Sequence, residues 1–130
     1  MLKLKPNCEC CDCDLPPASV EAMICSYECT FCQSCVNAVL QNVCPNCGGG
    51  FQQRPVRLAT ARREGVGLAH QPASRERVHS RYERAAVRAF AAQHADIPPE
   101  VRCNPLHGCR CRALHYGVLG MMISVASRFS

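Results

Sequence analysis

With 130 residues, 13 cysteines and a formal net charge of +5, the chain is long enough for one small domain and an extension, but not for two full-sized domains. Ten cysteines precede residue 48, and the charge divides at the same place, with a net of −3 over residues 1–50 and +8 over residues 51–130. The longest apolar run, Tyr116–Ala126, has 11 residues, whereas a bilayer span needs about 20, so no membrane span is expected.

The N-terminal sequence MLKLKPNCEC has neither an apolar core nor a small-residue cleavage site, which predicts a cytoplasmic protein without a secretory signal. In a reducing compartment, closely spaced cysteines bind metal more often than they form disulfides. The competing interpretation is a disulfide scaffold that is exported without a recognisable signal.

Residues 1–58 are predicted to form a module in which eight cysteines fall into four closely spaced pairs. Two tetrahedral zinc sites need eight ligands, and thiolates favour zinc or an iron–sulfur cluster over magnesium or calcium. No histidine precedes His70, so both sites would be all sulfur. The sequence therefore predicts two zinc ions per chain, held by Cys8, Cys11, Cys25, Cys29, Cys32, Cys35, Cys44 and Cys47.

The turns between paired cysteines are expected to direct both thiolates at one ion, with backbone N–H groups bonded to the sulfurs. Gly48, directly after Cys47, suits the positive φ that such turns often need. A module of roughly 50 residues buries little apolar surface, and a structural zinc ion contributes on the order of 10 kcal/mol to folding. Without metal, the module is expected to unfold.

Short elements are predicted between the cysteine pairs. A strand is expected over Glu21–Tyr27, and residues Phe51–Leu58 are predicted to add an edge strand, where Pro55 is tolerated. Apolar residues at helical spacing predict a helix that begins after Cys35 and buries Val36, Val39, Leu40 and Val43.

Cys10 and Cys13 are surplus to these eight positions. They are interpreted as free thiols near the first pair, with metal exchange as one use. Alternatively, the register shifts so that Cys10 and Cys13 replace Cys8 and Cys11.

Three segments, LKLKPNCECCDCDLPP, AMICSYECTFCQSC and VCPNCGG, together with Arg54-Pro55, resemble the short cysteine-rich bacterial proteins grouped as domain of unknown function family 1272. The resemblance covers residues 1–57, with a weaker similarity at Pro72–His79, and Cys13 departs from the expected pattern. It implies a zinc-binding module without an established activity.

The order of cysteine pairs, strand and helix also resembles RING-like or treble-clef zinc folds, so the fold class is a small metal-stabilised α+β module. That resemblance implies crossed pairing, in which the first and third pairs share one ion and the second and fourth share the other. One site would then comprise Cys8, Cys11, Cys32 and Cys35, and the other Cys25, Cys29, Cys44 and Cys47. Sequential pairing is the alternative.

No catalytic residue is assigned, and a non-enzymatic protein is expected. RING-type ubiquitin ligases bind their conjugating enzyme through an apolar residue in the first pair, an aromatic residue and a basic residue. This chain has Glu9 and Cys10 in the first pair and no tryptophan. Only Pro45 matches the ligase pattern. Ubiquitin-ligase activity is therefore not expected. Redox catalysis by Cys44 and Cys47 is disfavoured, because three other cysteine pairs accompany them.

The second half is basic. A linker is predicted over residues 59–73 and an amphipathic helix over Ser74–Ala95, with Ser74 as its cap and Val78, Tyr82, Ala85 and Ala89 on its apolar face. A protein partner is expected, and metal buffering or sensing through the surplus thiols is one alternative. Nucleic-acid binding is the other, through Arg75, Arg77, Arg81, Arg84 and Arg88.

Residues 96–130 are predicted to form an irregular tail and are a candidate for disorder. A third metal site is a weak candidate there, because its ligand spacing matches no known zinc pattern. Its ligands would be Cys103, His107, Cys109 and Cys111.

Overall fold

The computed structural model of the chain describes residues 1–102. Met1–Asp96 form one compact unit, and Ile97 begins a second, whose described part contains a turn of 3-10 helix, Pro99–Val101. Within residues 1–102, no helix is long and apolar enough to cross a membrane. The third metal site predicted around Cys103 lies outside the described residues.

A small antiparallel sheet forms the centre of the first unit. Its strands are β1 (Ala22–Ile24), β2 (Thr30–Cys32) and β3 (Gln52–Gln53), in the order β2-β1-β3. The strand predicted over Glu21–Tyr27 and the edge strand predicted over Phe51–Leu58 are both present but shorter than expected. β1 ends at Ile24 because the chain turns at Cys25 into the second cysteine pair. β2 was not predicted, because three residues carry too little periodic signal.

The predicted helix after the third cysteine pair is present in an unusual form. It begins as α1 (Gln33–Cys35) and continues as a π-helical turn, Val36–Leu40. The turn ends where Gln41 and Asn42 adopt left-handed conformations, with φ of 50° and 59°. The whole predicted apolar stripe is buried, which confirms its assignment to the core: Val36, Val39, Leu40 and Val43.

The core is built from aromatic and aliphatic side chains that adjoin the cysteines. Phe31 on β2 and Phe51 before β3 meet edge to face, with ring centroids 5.4 Å apart. Leu15, Leu40 and Val87 belong to the same buried cluster as several of the cysteines. The buried cysteines and the apolar core thus form one continuous interior.

A buried arginine supports the N-terminal segment. The Arg54 side chain is only 1% exposed, and its guanidinium donates to the carbonyls of Lys5 (2.9 Å), Leu15 (3.3 Å) and Pro16 (3.0 Å). Burial lowers the pKa of Arg54 below its ordinary value. These three carbonyls lie on both sides of the first cysteine pair in sequence, so Arg54 fixes the base of that loop.

The predicted linker, residues 59–73, has no strand or helix but is hydrogen-bonded to its surroundings. Leu68 N–H donates to Leu58 O at 3.0 Å. Arg57 donates to Gln71 O at 2.7 Å and to Leu2 O at 2.6 Å. The segment is a loop anchored at both ends.

The predicted helix over Ser74–Ala95 is wrong in its first ten residues. Residues 74–82, called the strap below, form neither helix nor strand, and the helix α2 spans Arg84–His94. The N–H groups of Ser74 and Ser80 donate to Leu4 O and Glu9 O at 2.9 and 2.8 Å. Because these amides pair with the N-terminal segment, tertiary contacts override the local helical pattern.

The apolar face predicted for this helix is also wrong. Val87 and Ala91 are the buried apolar residues of α2, whereas Ala85 and Ala89 are exposed. Val87 joins the main core, and α2 packs against the π-helical turn. Because the strap is not helical, the apolar stripe through which α2 packs begins at Val87.

Candidate metal centres

The first centre is a group of five thiols. The sulfur atoms of Cys8, Cys11, Cys13 and Cys32 all lie within 4.8 Å of one another, and the Cys11 and Cys32 sulfurs are 3.7 Å apart. Cys35 adjoins them, because burial and the nearby Cys8 and Cys32 sulfurs raise the pKa of Cys35 above its ordinary value. These residues, called the first thiol group below, are Cys8, Cys11, Cys13, Cys32 and Cys35.

The second centre is a group of four thiols. The sulfurs of Cys25, Cys44 and Cys47 lie within 4.8 Å of one another, and Cys29 adjoins them through its carbonyl, which accepts from Cys25 N–H at 3.2 Å. Asn46 Nδ2 also donates to the Cys29 sulfur at 3.4 Å, which links the second and fourth cysteine pairs. These residues, called the second thiol group below, are Cys25, Cys29, Cys44 and Cys47.

The chain brings together cysteine pairs that are distant in sequence. Cys32 of the third pair clusters with the first pair, and Cys25 of the second pair clusters with the fourth, which is the grouping that crossed pairing predicts. The register-shift alternative is not adopted, because Cys8 and Cys11 lie in the first thiol group and Cys10 is not among its clustered sulfurs.

Backbone turns aim the sulfurs as expected. The Cys8 sulfur accepts from the N–H groups of Cys10 and Cys11, at 3.4 and 3.5 Å. Gly48 has a φ of 80°, which confirms the predicted left-handed residue, and the N–H of Gly49 donates to the Cys47 sulfur at 3.4 Å. Asp12 also adopts a positive φ, 65°, at the corresponding place after Cys11.

The thiols of the first group cannot all ionise without a cation. Burial raises the pKa of Cys8 to about 11 and that of Cys13 to about 12. Burial also acts on Cys11, but hydrogen bonds from the Cys13 backbone and from neighbouring thiols outweigh it and lower the pKa of Cys11 to about 7. Burial, followed by contacts between the sulfurs, therefore opposes ionisation of Cys8 and Cys13, and a divalent cation would relieve this.

The second group behaves in the same way. A hydrogen bond from Cys44 is the largest cause that lowers the pKa of Cys25 to about 5. That same contact, followed by burial, raises the pKa of Cys44 far above its ordinary value. Their contact and their burial thus oppose simultaneous ionisation of Cys25 and Cys44, and a divalent cation would relieve this.

The donor sets fit tetrahedral zinc. Zinc–sulfur bonds of about 2.3 Å place tetrahedral sulfurs about 3.8 Å apart. The 3.7 Å between the Cys11 and Cys32 sulfurs agrees with this spacing. Thiolates are also the ligands that zinc and iron–sulfur clusters prefer. Either thiol group could therefore hold one ion with its own side chains.

The five arginines predicted to bind nucleic acid do not share one helix face. Arg75, Arg77 and Arg81 lie in the strap, and only Arg84 and Arg88 lie on α2. Arg77 binds Asp12 and Asp14, with an N–O distance of 2.8 Å in each pair. Its hydrogen bond is the main cause that lowers the pKa of Asp12. Part of the basic half thus neutralises the acidic first loop of the same chain.

A cavity of about 150 Å³ lies between the first loop, the π-helical turn, the strap and α2. Cys10, Leu40 and Pro45 line one part of it, and Tyr82 and Val87 line another. Cys10 is thus the one thiol within residues 1–102 that belongs to neither thiol group. The sequence does not show which of Cys10 and Cys13 joins a thiol group, because spacing alone does not give the direction of a side chain.

Comparison with known proteins places this architecture in a family. Residues 1–57 match the family described as protein of unknown function (DUF1272), and they contain both thiol groups. An uncharacterised protein of Rhizobium meliloti (strain 1021) is 55% identical over 78 residues, which are 60% of this chain and 86% of that protein. No solved structure matches the chain significantly. With its thiol groups inside the matched segment and a relative this similar over most of its length, the chain belongs to the DUF1272 family.

Proposed function

We propose that this protein is a cytoplasmic zinc-binding module without catalytic activity, whose two ions hold its fold and whose rigid surface binds another protein. The observation that carries the proposal is the crossed assembly of two thiol groups from four separate cysteine pairs. An ion in each group would tie the N-terminal loop, the β1–β2 hairpin, α1 and the last cysteine pair together. Such closed, four-sulfur sites are typical of structural zinc.

The surroundings of the thiols support a structural role over a catalytic one. Eight of the ten cysteines within residues 1–102 are the predicted ligands, and six of these eight are buried or partly buried. Cys10 and Pro45, which stand at positions that RING-type ligases use for binding in the resemblance above, line a cavity that is also lined by Tyr82 and Val87 of this chain. This arrangement argues against docking of a conjugating enzyme there.

The exposed apolar residues support a protein partner. Tyr27 is 76% exposed at the tip of the second cysteine pair, and Val20 is 63% exposed just before β1. The backbone at Tyr27 is fixed, because its N–H donates to the Cys25 sulfur at 3.4 Å. A rigidly held, exposed tyrosine has the properties of an interface anchor.

The metal part of the proposal is tested by native mass spectrometry of the full chain, purified without added metal, and by circular dichroism before and after a strong chelator. We expect two zinc ions per chain and loss of structure on chelation. An iron–sulfur mass, or full structure in the metal-free chain, would contradict the proposal.

The partner is tested by placing a photo-crosslinking residue at Tyr27 in cells that express the full chain, with Arg62, an exposed loop residue, as the control position. We expect a discrete protein adduct at Tyr27 that persists after nuclease treatment and is weak at Arg62. An adduct that nuclease removes would favour the nucleic-acid alternative. Equal labelling at both positions would contradict a defined interface at Tyr27.

A further inference from the structure

We propose that Cys13 is an alternative zinc ligand in the first thiol group, and that this group exchanges its ion while the second retains its own. The inference rests on the proposed function, because it requires a zinc ion at each thiol group. It assigns a role to the cysteine that departs from the expected family pattern.

The two thiol groups differ in the number of available sulfurs. In the second, three sulfurs cluster and Cys29 adjoins them, which makes the four that a tetrahedral ion needs; in the first, four sulfurs cluster already and Cys35 adjoins them as a fifth. Cys13 is one of the four sulfurs within 4.8 Å of one another, and Cys35, the predicted ligand, stands beside this set. The first group can therefore form complete four-sulfur sets with either Cys13 or Cys35.

The position of Cys13 is fixed by the backbone of the first loop. Cys8 N–H donates to Cys13 O at 2.9 Å, and Asp12 N–H donates to Cys8 O at 2.9 Å. A bridge between Asn7 and Asp14 closes the loop at its base. Cys13 is thus held near the other sulfurs by the same loop that presents Cys8 and Cys11.

Exposure distinguishes the outer ligands from the inner ones. Cys11 and Cys13 are exposed, whereas Cys8, Cys32 and Cys35 are buried. In an exchange of ligands, the Cys13 thiol gives up its proton and its sulfur binds the ion in place of the Cys35 sulfur, which takes up a proton. The number of metal–sulfur bonds and the total charge stay constant. The first group can therefore detach one sulfur and keep its ion four-coordinate while external ligands begin to replace the others, whereas in the second group the first detached sulfur leaves three bonds.

The first test measures the exchange of bound zinc for isotopically enriched zinc, followed by native mass spectrometry of the full chain. We expect one ion to exchange faster than the other, and Cys13→Ser to slow the fast ion about tenfold while two ions remain bound. Cys10→Ser, the same substitution in the same loop but outside the thiol groups, should leave both rates unchanged. Equal rates for the wild type and Cys13→Ser would overturn the inference.

The second test removes predicted ligands one at a time. We expect Cys35→Ser to retain two ions, because Cys13 completes the set, whereas Cys47→Ser retains one and the double variant Cys13→Ser/Cys35→Ser loses the first ion. Loss of an ion from Cys35→Ser alone would overturn the inference and leave the structural zinc module intact. If Cys35→Ser does not fold, the exchange rate of Cys13→Ser still decides. A wild-type chain without zinc would overturn the proposed function itself.

Discussion

Asn7 and Val78 are joined by two hydrogen bonds across 71 residues of sequence. Asn7 Nδ2 donates to Val78 O at 2.8 Å, and Val78 N–H donates to Asn7 Oδ1 at 3.2 Å. The same amide nitrogen lies 3.1 Å from Cys8 O and 3.0 Å from Asp12 Oδ1. A single buried asparagine therefore connects the strap to the first loop, which carries Cys8, Cys11 and Cys13.

Replacing Asn7 should release the strap and weaken the first loop together. We expect Asn7→Ala to lower the free energy of unfolding by about 2 kcal/mol, because it leaves buried backbone groups without their partner. Hydrogen exchange should accelerate at the Val78 and Ser80 amides before it does so in β1. Gln53→Ala, which removes an exposed amide from β3, is the control and should change little. Unchanged strap protection in Asn7→Ala would contradict this role.

Arg77 should hold the strap against the first loop through its ion pairs with Asp12 and Asp14. Its guanidinium binds both Asp12 and Asp14, but all three side chains are substantially exposed, so salt screens the interaction. We expect Arg77→Ala to increase proteolytic cleavage within the strap at low ionic strength, and this difference from the wild type to shrink at high salt. Arg75→Ala, an exposed arginine two residues earlier, is the matched control. A difference that is independent of salt would contradict the electrostatic explanation.

The strap also shows where sequence reasoning about the fold failed. Between residues 74 and 95 the sequence has a capping serine, many arginines and an apolar repeat, and all of these favour a helix. In the structure, the Ser74 hydroxyl accepts from Glu76 N–H at 3.2 Å in a local turn, and the amides of Ser74, Val78 and Ser80 bond to the N-terminal segment. Partners that lie about 70 residues away leave no local pattern in the sequence.

The candidate site was more predictable than the strap. Thiol spacing predicts six of the seven clustered sulfurs, all except Cys13, and Gly48 indicates its own positive φ. Spacing does not assign Cys13 to the site, because it gives distance along the chain and not the direction of a side chain. The loop hydrogen bond between Cys8 and Cys13 brings its sulfur into the first thiol group. The local sequence does not predict the burial of Arg54 either, since that burial depends on carbonyls from a distant loop.

Docking of α2 should depend on Val87. This side chain is 5% exposed and packs into the core cluster, and α2 contacts the π-helical turn. We expect Val87→Ala to lower the free energy of unfolding of the zinc-loaded chain by about 1–2 kcal/mol, through lost burial and an unfilled cavity. Val56→Ala is the matched control, because Val56 is 51% exposed and the same substitution there should have little effect. Denaturant unfolding of both variants measures the difference, and similar losses would contradict docking through Val87.

Arg54 should couple the stability of the core to the first thiol group. Its guanidinium binds carbonyls on both sides of the first loop, and a smaller side chain would leave Lys5 O, Leu15 O and Pro16 O without a buried donor. We expect Arg54→Ala to lower the free energy of unfolding by about 3 kcal/mol. Arg54→Lys should recover only part of this, because an ammonium lacks the planar, forked geometry of a guanidinium.

Arg54→Ala should weaken zinc binding more at the first thiol group than at the second. Arg54 supports the loop of the first group, so a chelator titration of Arg54→Ala should remove one zinc ion at a lower chelator concentration than the wild type requires, with the second ion less affected. Arg62→Ala, an exposed arginine in the 59–73 loop, is the control and should match the wild type. Equal sensitization of both ions in Arg54→Ala would show that the arginine stabilises the module as a whole and not the first loop in particular.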